Sequence, residues 1–98
     1  MLIGNKFHTA GNSIRYEIDY SEWLERGRTL NPASCAAVLE PGSTVTDVTV
    51  DQLSVTPSKL YFFVTGGSIN EVFTVQATGV DSIGETVIDT VQFTGVAP

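Results

Sequence analysis

Few residues in this 98-residue chain are of a type that could do chemistry, and they are scattered. His8 is the only histidine and Cys35 the only cysteine. A general base needs a positioned partner and a zinc site needs several ligands, so neither residue builds such a site alone. The sequence also holds no nucleophile elbow, phosphate-binding loop or paired-cysteine motif. We therefore predict no catalytic residue, no metal ligand and no cofactor, with His8 packed or solvated and Cys35 buried.

Carboxylates are the remaining chemical groups: 11 Asp and Glu stand against 5 Lys and Arg, which gives a net charge of −6. They recur in three groups, Glu17/Asp19, Asp47/Asp51 and Asp81/Glu85/Asp89. Brought together at the ends of a sandwich they could bind calcium, but none has the spacing of a D-x-D-x-D-G loop. The favoured interpretation is solvated strand edges, where charge discourages pairing with other chains. Calcium is the alternative.

Charge and hydropathy also bear on two classes of partner. A pI near 4.4 and scattered basic residues argue against binding to nucleic acid. No apolar run approaches the roughly 20 residues that cross a bilayer, and no signal-peptide core follows Met1. We predict neither a nucleic-acid partner nor a membrane partner.

The elements that position these residues are mainly strands. Residues 1–12 show no hydrophobic period and are interpreted as an N-terminal arm, followed by a single domain over residues 13–98. A phase slip near Asp51 and Gln52 predicts a tight turn or a bulge. The predicted strand segments are Ser13–Asp19, Leu30–Glu40, Val45–Val55, Lys59–Thr65, Val72–Thr78 and Glu85–Thr94. About seven short strands at intervals close to 10 residues predict an all-β, immunoglobulin-like β-sandwich.

One short N-terminal segment has a different pattern and contains the only tryptophan. Residues 20–26 are predicted to form a helical turn, in which Ser21 caps the N-terminus and Glu22 complements the helix dipole. Trp23 and Leu24 on this turn are predicted to plug one end of the sandwich, with Trp23 mostly buried.

The most hydrophobic strand suggests a contact surface. Leu60, Phe62 and Val64 alternate with Tyr61 and Phe63. Both faces of this strand are therefore apolar, as in a strand that is covered on both sides or that offers one face to a partner. Tyr61 and Phe63 are predicted to contribute to a protein interface, because interfaces are enriched in aromatic residues. A covered central strand is the alternative.

The N-terminal arm supplies the other predicted interface residues. Phe7 and His8 lie in the arm, which is predicted to be ordered by a neighbouring chain rather than by its own core.

Two stretches of the chain, within roughly residues 17–93, resemble a family of small virion proteins of tailed bacteriophages, the fibre–tail adaptors or Ig-like head–tail proteins. The first matches D-x-S-x-W-L-x-x-G-x-T-[IL] from Asp19 to Leu30. The second is Phe63-Val64-Thr65-Gly66-Gly67 followed by Glu71-Val72-Phe73-Thr74-Val75, where the family has a strand ending W-L-S-G-G and then G-x-x-Y-T-V. Phe63 departs from the family's tryptophan. The resemblance implies an Ig-like sandwich without enzymatic activity, built into the particle through protein contacts.

The expected function is therefore that of a non-enzymatic structural virion protein, made in the host cytoplasm. It would be an adaptor that links tail or connector to fibres, present in several copies on a symmetric assembly so that weak contacts gain avidity. The alternative is a capsid decoration or surface-binding module that recognises host carbohydrate or protein. A small hydrolase is disfavoured because no nucleophile–base pair is evident.

Overall fold

Seven β-strands form two sheets whose inward faces enclose the core. The computed structural model describes residues 2–98, without the side chains of Leu2, Ile3 and Gln52. The strands are β1 (Leu2–Thr9), β2 (Ser13–Asp19), β3 (Ala36–Leu39), β4 (Val48–Val55), β5 (Lys59–Gly66), β6 (Val72–Val80) and β7 (Thr86–Val96). The predicted all-β sandwich of about seven strands is confirmed.

The strand order gives the architecture. One sheet has the order β1-β7-β6-β3 and the other β2-β5-β4. Every pair of strands is antiparallel except β1 with β7, which is parallel. The last six strands have the order of a constant-type immunoglobulin sandwich, with β2-β5-β4 in the places of B-E-D and β7-β6-β3 in those of G-F-C. Here the first strand joins the sheet of the last strand.

The core follows from the period-two alternation of apolar residues in the central strands. Eight inward apolar residues of β5, β6 and β7 are at most 3% exposed: Leu60, Phe62, Val64, Phe73, Val75, Ala77, Val91 and Phe93. The ring of Phe93 stacks on Phe73 with centroids 5.3 Å apart, and Tyr16 meets it edge-on at 4.7 Å. Aromatic pairs of this geometry add to the stabilisation from burial alone.

Strand β1 corrects the interpretation of residues 1–12 as an arm without its own packing. Residues from Leu2 to Thr9 pair with β7 in parallel register, and His8 is fully buried. The sequence pattern does not predict this strand because its inward residues are polar. His8 lies opposite Gly95, and Lys6 lies opposite Phe93 at the edge of the sheet. A strand with such residues on its inward side shows no apolar alternation.

The predicted helical turn is also corrected, since the described residues contain no helix. The backbone N–H groups of Trp23 and Leu24 both donate to the carbonyl of Tyr20, which closes a single hydrogen-bonded turn. The cap is Asp19 rather than Ser21, because the Asp19 carboxylate accepts a hydrogen bond from the Ser21 N–H at 2.8 Å. One turn is too short to propagate, since helix nucleation is unfavourable.

Two further predictions concern β3 and β4. The predicted strand Leu30–Glu40 is mostly loop: β3 has four residues, and Leu30 makes an isolated bridge to Asp81. Of the tight turn or bulge predicted near Asp51, the structure has the bulge, because the register with β5 shifts between Asp51 and Ser54. Within residues 2–98 no helix is long and apolar enough to cross a membrane.

Candidate interaction surfaces

The outward side of the three-stranded sheet carries Tyr61 and Phe63, as predicted from the sequence. Both side chains are half-buried. Glu17 lies opposite Tyr61, while Arg15 and Asp51 lie opposite Phe63 on the two neighbouring strands. The Arg15 guanidinium carbon is 5.1 Å from the centroid of the Tyr61 ring, within the range of a cation–π contact. We call these five residues the aromatic face; its two rings are framed by charges of both signs.

The outward side of the four-stranded sheet has a different chemistry. Its members, by strand register, are residues 5, 7 and 9 of β1, 36 and 38 of β3, the even-numbered residues 72–80 of β6 and the even-numbered residues 86–96 of β7. All of them are Asn, Gln, Thr, Ala, Val, Ile or Phe. We call this surface the uncharged face. In a chain of net charge −6, it is a sheet surface whose described members carry no charge.

Exposed apolar side chains are concentrated on the uncharged face. Phe7 is 75% exposed, Val72 51% and Val38 49%. Phe7 and Val72 both pair with Thr94, one from each side, so the three side chains form one row across β1, β7 and β6. Exposed apolar patches on a sheet mark contact surfaces. The structure therefore places Phe7, one of the predicted interface residues, on an outward surface.

His8, by contrast, is fully buried and forms no part of an exposed surface. Its Nε2 lies 3.1 Å from the carbonyl oxygens of both Asn12 and Gly66. Because a carbonyl only accepts, Nε2 carries a hydrogen in this arrangement. In the tautomer without a hydrogen on Nδ1, that atom accepts a hydrogen bond from the Tyr16 hydroxyl at 2.9 Å. Burial raises the pKa of Tyr16. His8 thus ties β1 to strands of the other sheet.

The two residues predicted to plug the sandwich lie at its side. Trp23 and Leu24 are half-buried and pack against the core, so the expectation that Trp23 is mostly buried is only partly met. The Trp23 ring meets the Tyr20 ring edge-on, with centroids 5.9 Å apart. Trp23 keeps one side of its ring open because it borders a cleft.

This cleft, which we call the side cleft, has a volume of about 460 Å³. It is lined by Gly4, Lys6, Glu17, Ile18, Asp19, Tyr20, Glu22, Trp23, Asp89 and Val91. The lining residues come from β1, β2, β7 and the turn at residues 20–24, so the cleft opens between the sheets where β1 and β2 are neighbours. Four carboxylates and one ammonium group line it.

Two buried polar groups of the side cleft lack partners among the described residues. Tyr20 is 3% exposed and its hydroxyl has no hydrogen-bond partner. Asp89 is 8% exposed, and its carboxylate makes no side-chain hydrogen bond or ion pair. Burial, and to a smaller extent the nearby charge of Asp89, raises the pKa of Tyr20. Asp89 shares the inward phase of β7 with Val87, Val91 and Phe93, so the alternation of this strand indicates an inward-facing carboxylate.

The remaining buried carboxylate, Asp81, is held by the chain itself. The Arg28 guanidinium lies 3.2 Å from the Asp81 carboxylate and also forms ion pairs with the carboxylates of Glu85 at 3.0 Å and Glu25 at 3.1 Å. Burial alone would raise the pKa of Asp81, but the backbone N–H groups of Ile83 and Glu85 and the Arg28 guanidinium outweigh it and hold the pKa below its usual value. In the described residues, no group of three or more His, Cys, Asp or Glu could hold a metal ion.

Comparison with solved structures shows the fold at low sequence identity. A crystal structure of the 2,6-sialyltransferase of Photobacterium sp. JT-ISH-224, in a ternary complex with CMP and lactose, is similar with a TM-score of 0.52 and 17% identity. The match covers 99% of this chain but only 18% of the sialyltransferase, so the chain spans a small part of that protein's length. The similarity is one of fold alone. No curated protein matches this chain.

Comparison with family models assigns the chain by sequence. The model described as podophage GP4 fiber-tail adaptor protein gp77 matches residues 8–94, from the end of β1 to near the end of β7. The match therefore includes the aromatic face and most of the uncharged face and of the side cleft, whereas Phe7 lies just before it. The chain belongs to this family of podophage fibre–tail adaptor proteins.

Proposed function

We propose that this chain is a non-enzymatic virion component that joins the tail or connector to the fibres through protein–protein contacts. Membership of the fibre–tail adaptor family supports a structural role. The observation that carries the proposal in molecular terms is the uncharged face, with Phe7 and Val72 half or more exposed on the same row of the sheet. After synthesis in the host cytoplasm, the chain would be incorporated into the particle by this face.

Charge explains why this face suits an assembly of several copies. Copies with net charge −6 repel one another over most of their surface. Two such copies can approach where neither presents a charge, and hydrophobic burial then contributes about 25 cal/mol per Å² of apolar area. We therefore assign the uncharged face to the contact with a neighbouring copy in a symmetric assembly. Repeated copies would hold fibres by avidity, without a strong single contact.

The aromatic face is assigned to the second partner. An adaptor needs two distinct contact surfaces, and the two faces lie on opposite sides of the sandwich. Tyr61 and Arg15, already in contact, are of the residue types that dominate binding energy at interfaces. The mixed charges of Arg15, Glu17 and Asp51 favour a partner with complementary charges, which gives specificity.

The proposal is tested in the phage that encodes this chain, by complementing a deletion with variant chains. The test variant is Phe7→Asp combined with Val72→Asp, which places two carboxylates on the uncharged face. The matched control is Ile69→Asp combined with Ile83→Asp, since these residues are 55% and 64% exposed but lie in turns away from that face. Circular dichroism checks that each variant is folded.

The test variant is expected to be absent from purified particles, and those particles to lack fibres by negative-stain microscopy. The control variant is expected to give particles with fibres. Fibred particles that contain the test variant at the normal level would refute the role given to the uncharged face.

A further inference from the structure

The side cleft contains a buried negative charge that this chain does not neutralise. Asp89 is 8% exposed and has no ion-pair partner among the described residues. Buried charges in proteins are normally paired, because an isolated charge is costly to remove from water. The other buried carboxylate of the chain, Asp81, shows the usual solution, with Arg28 at 3.2 Å. The Asp89 carboxylate, unlike that of Asp81, has no cationic partner among the described residues.

A second, neutral group of the side cleft is also unsatisfied. The Tyr20 hydroxyl is buried without a hydrogen-bond partner, although buried hydroxyl groups almost always have one. It is close enough to Asp89 for that carboxylate to raise its pKa. That hydroxyl is inaccessible from the cleft, so an occupant of the cleft meets the Asp89 carboxylate alone and must carry positive charge.

The walls of the side cleft restrict the shape of that occupant. Trp23 lines it with an aromatic ring, and Ile18 and Val91 add apolar surface. A planar guanidinium fits these walls better than a compact ammonium, because it stacks on an aromatic ring and presents five donors in a fixed fork. Exposed Glu17 and Glu22 at the rim would attract such a group from solution.

We propose that the side cleft binds an arginine side chain presented by a partner protein. The guanidinium donates to the Asp89 carboxylate and stacks on Trp23. A partner within the virion belongs to the proposed function, whereas arginine binding is measured on the full chain alone, so the two can fail separately.

Lys6 is the rival occupant, since it is the only cation that lines the side cleft. Its side chain is exposed and makes no ion pair within 4 Å among the described residues. If Lys6 moved onto Asp89 in solution, the cleft would be closed to an outside cation. The Lys6→Gln variant separates these two cases.

The experiment uses the fluorescence of Trp23, which is the only tryptophan of the chain and lines the cleft. The full chain is titrated with N-acetyl-arginine methylamide, and with N-acetyl-glutamine methylamide as the uncharged control ligand. We expect a saturable fluorescence change with the arginine compound, with an affinity in the millimolar range and weaker at high salt, and none with the glutamine compound.

Variants connect the signal to the proposed contacts. Asp89→Asn is expected to weaken arginine binding at least tenfold, because it removes the charge partner. Glu17→Gln combined with Glu22→Gln is expected to weaken binding several-fold without loss of folding, since both carboxylates line the cleft and are exposed. This variant tests the proposal even if Asp89→Asn does not fold. Asp47→Asn, an exposed carboxylate outside the cleft, should leave the affinity unchanged.

Three results would overturn the proposal: equal responses to the arginine and glutamine compounds, unchanged affinity both in Asp89→Asn and in Glu17→Gln combined with Glu22→Gln, or a response that appears only in Lys6→Gln. The last result would show that Lys6 itself fills the side cleft.

Discussion

The hydroxyl end of the Tyr20 ring packs on Gly79 of β6, so closely that a β-carbon at position 79 would come within 2.9 Å of Tyr20 Cζ. This contact sets the position of the turn that carries Trp23, because the Tyr20 carbonyl accepts both hydrogen bonds that close the turn. The absence of a side chain at Gly79 thus lets the turn dock on the sheet and form one wall of the side cleft.

Gly79→Ala is expected to destabilise the chain by about 1–3 kcal/mol, since an added methyl group forces the Tyr20 ring out of a packed position. Urea unfolding followed by circular dichroism measures the change. Gly4→Ala is the matched control, because a β-carbon there meets nothing within 4 Å. Equal stability of the two variants would show that the ring moves aside without cost.

Phe93→Ala is expected to cost about 3–5 kcal/mol, the usual range for a phenylalanine removed from a core. Its ring is fully buried and contacts the rings of Phe73 and Tyr16. Phe7→Ala, at a phenylalanine that is 75% exposed, should change the free energy of unfolding little. A comparable loss in both variants would mean that Phe7 is covered in the free chain.

Removal of residues 1–9 is expected to destabilise the chain substantially, because the deletion takes strand β1 from the four-stranded sheet and His8 from the core. This outcome is opposite to the one expected for an arm ordered by a neighbouring chain. Hydrogen exchange of the β7 amides gives a local measure, and His8→Ala should raise exchange in β1 and β7 first. Unchanged thermal stability after the deletion would show that β1 is dispensable for folding.

The acid sensitivity of the chain is expected to depend on Asp81. Its pKa is below the usual value in the folded chain, so its contribution to stability is present above its unfolded pKa and is lost as pH falls through the folded pKa. Asp81→Asn should therefore lower stability at pH 7, by about 1–3 kcal/mol, and flatten the decline in acid. Glu40→Gln, an exposed carboxylate after β3, is the control. If Asp81→Asn lost as much stability in acid as the native chain does, Asp81 would be excluded as the cause of the acid sensitivity.

The sequence predicted the sheets better than the surfaces, and there are physical reasons for this. The alternation of Leu60, Phe62 and Val64 predicts β5, because apolar residues at every second position indicate the buried face of a strand. β1 shows no such alternation because its inward residue His8 is polar and is satisfied by the carbonyls of nearby Asn12 and of Gly66 on β5. The sequence predicts more helix after Tyr20 than forms, because tertiary packing of Tyr20 on Gly79 decides the conformation instead of local propensity.

The candidate sites depended on strand order, which the sequence does not contain. Tyr61 and Phe63 could be assigned to an outward face from alternation alone. Phe7, Thr94 and Val72 form a row because β7 lies between β1 and β6, and no local sequence pattern predicts this strand order. The position of Asp89 in a cleft next to Tyr20 depends in the same way on how the two sheets pack against each other.

The most direct test of the central claim, that the uncharged face holds this chain in the virion, is site-specific photocrosslinking in assembled particles. Phe7 is replaced by p-benzoylphenylalanine in one variant and Ile83 in another, and purified particles are irradiated and analysed by mass spectrometry. We predict that the photoreactive residue at position 7 crosslinks to a neighbouring copy of this chain and that the one at position 83 does not. Crosslinks from position 83 with none from position 7, in particles that contain both variants, would contradict the account.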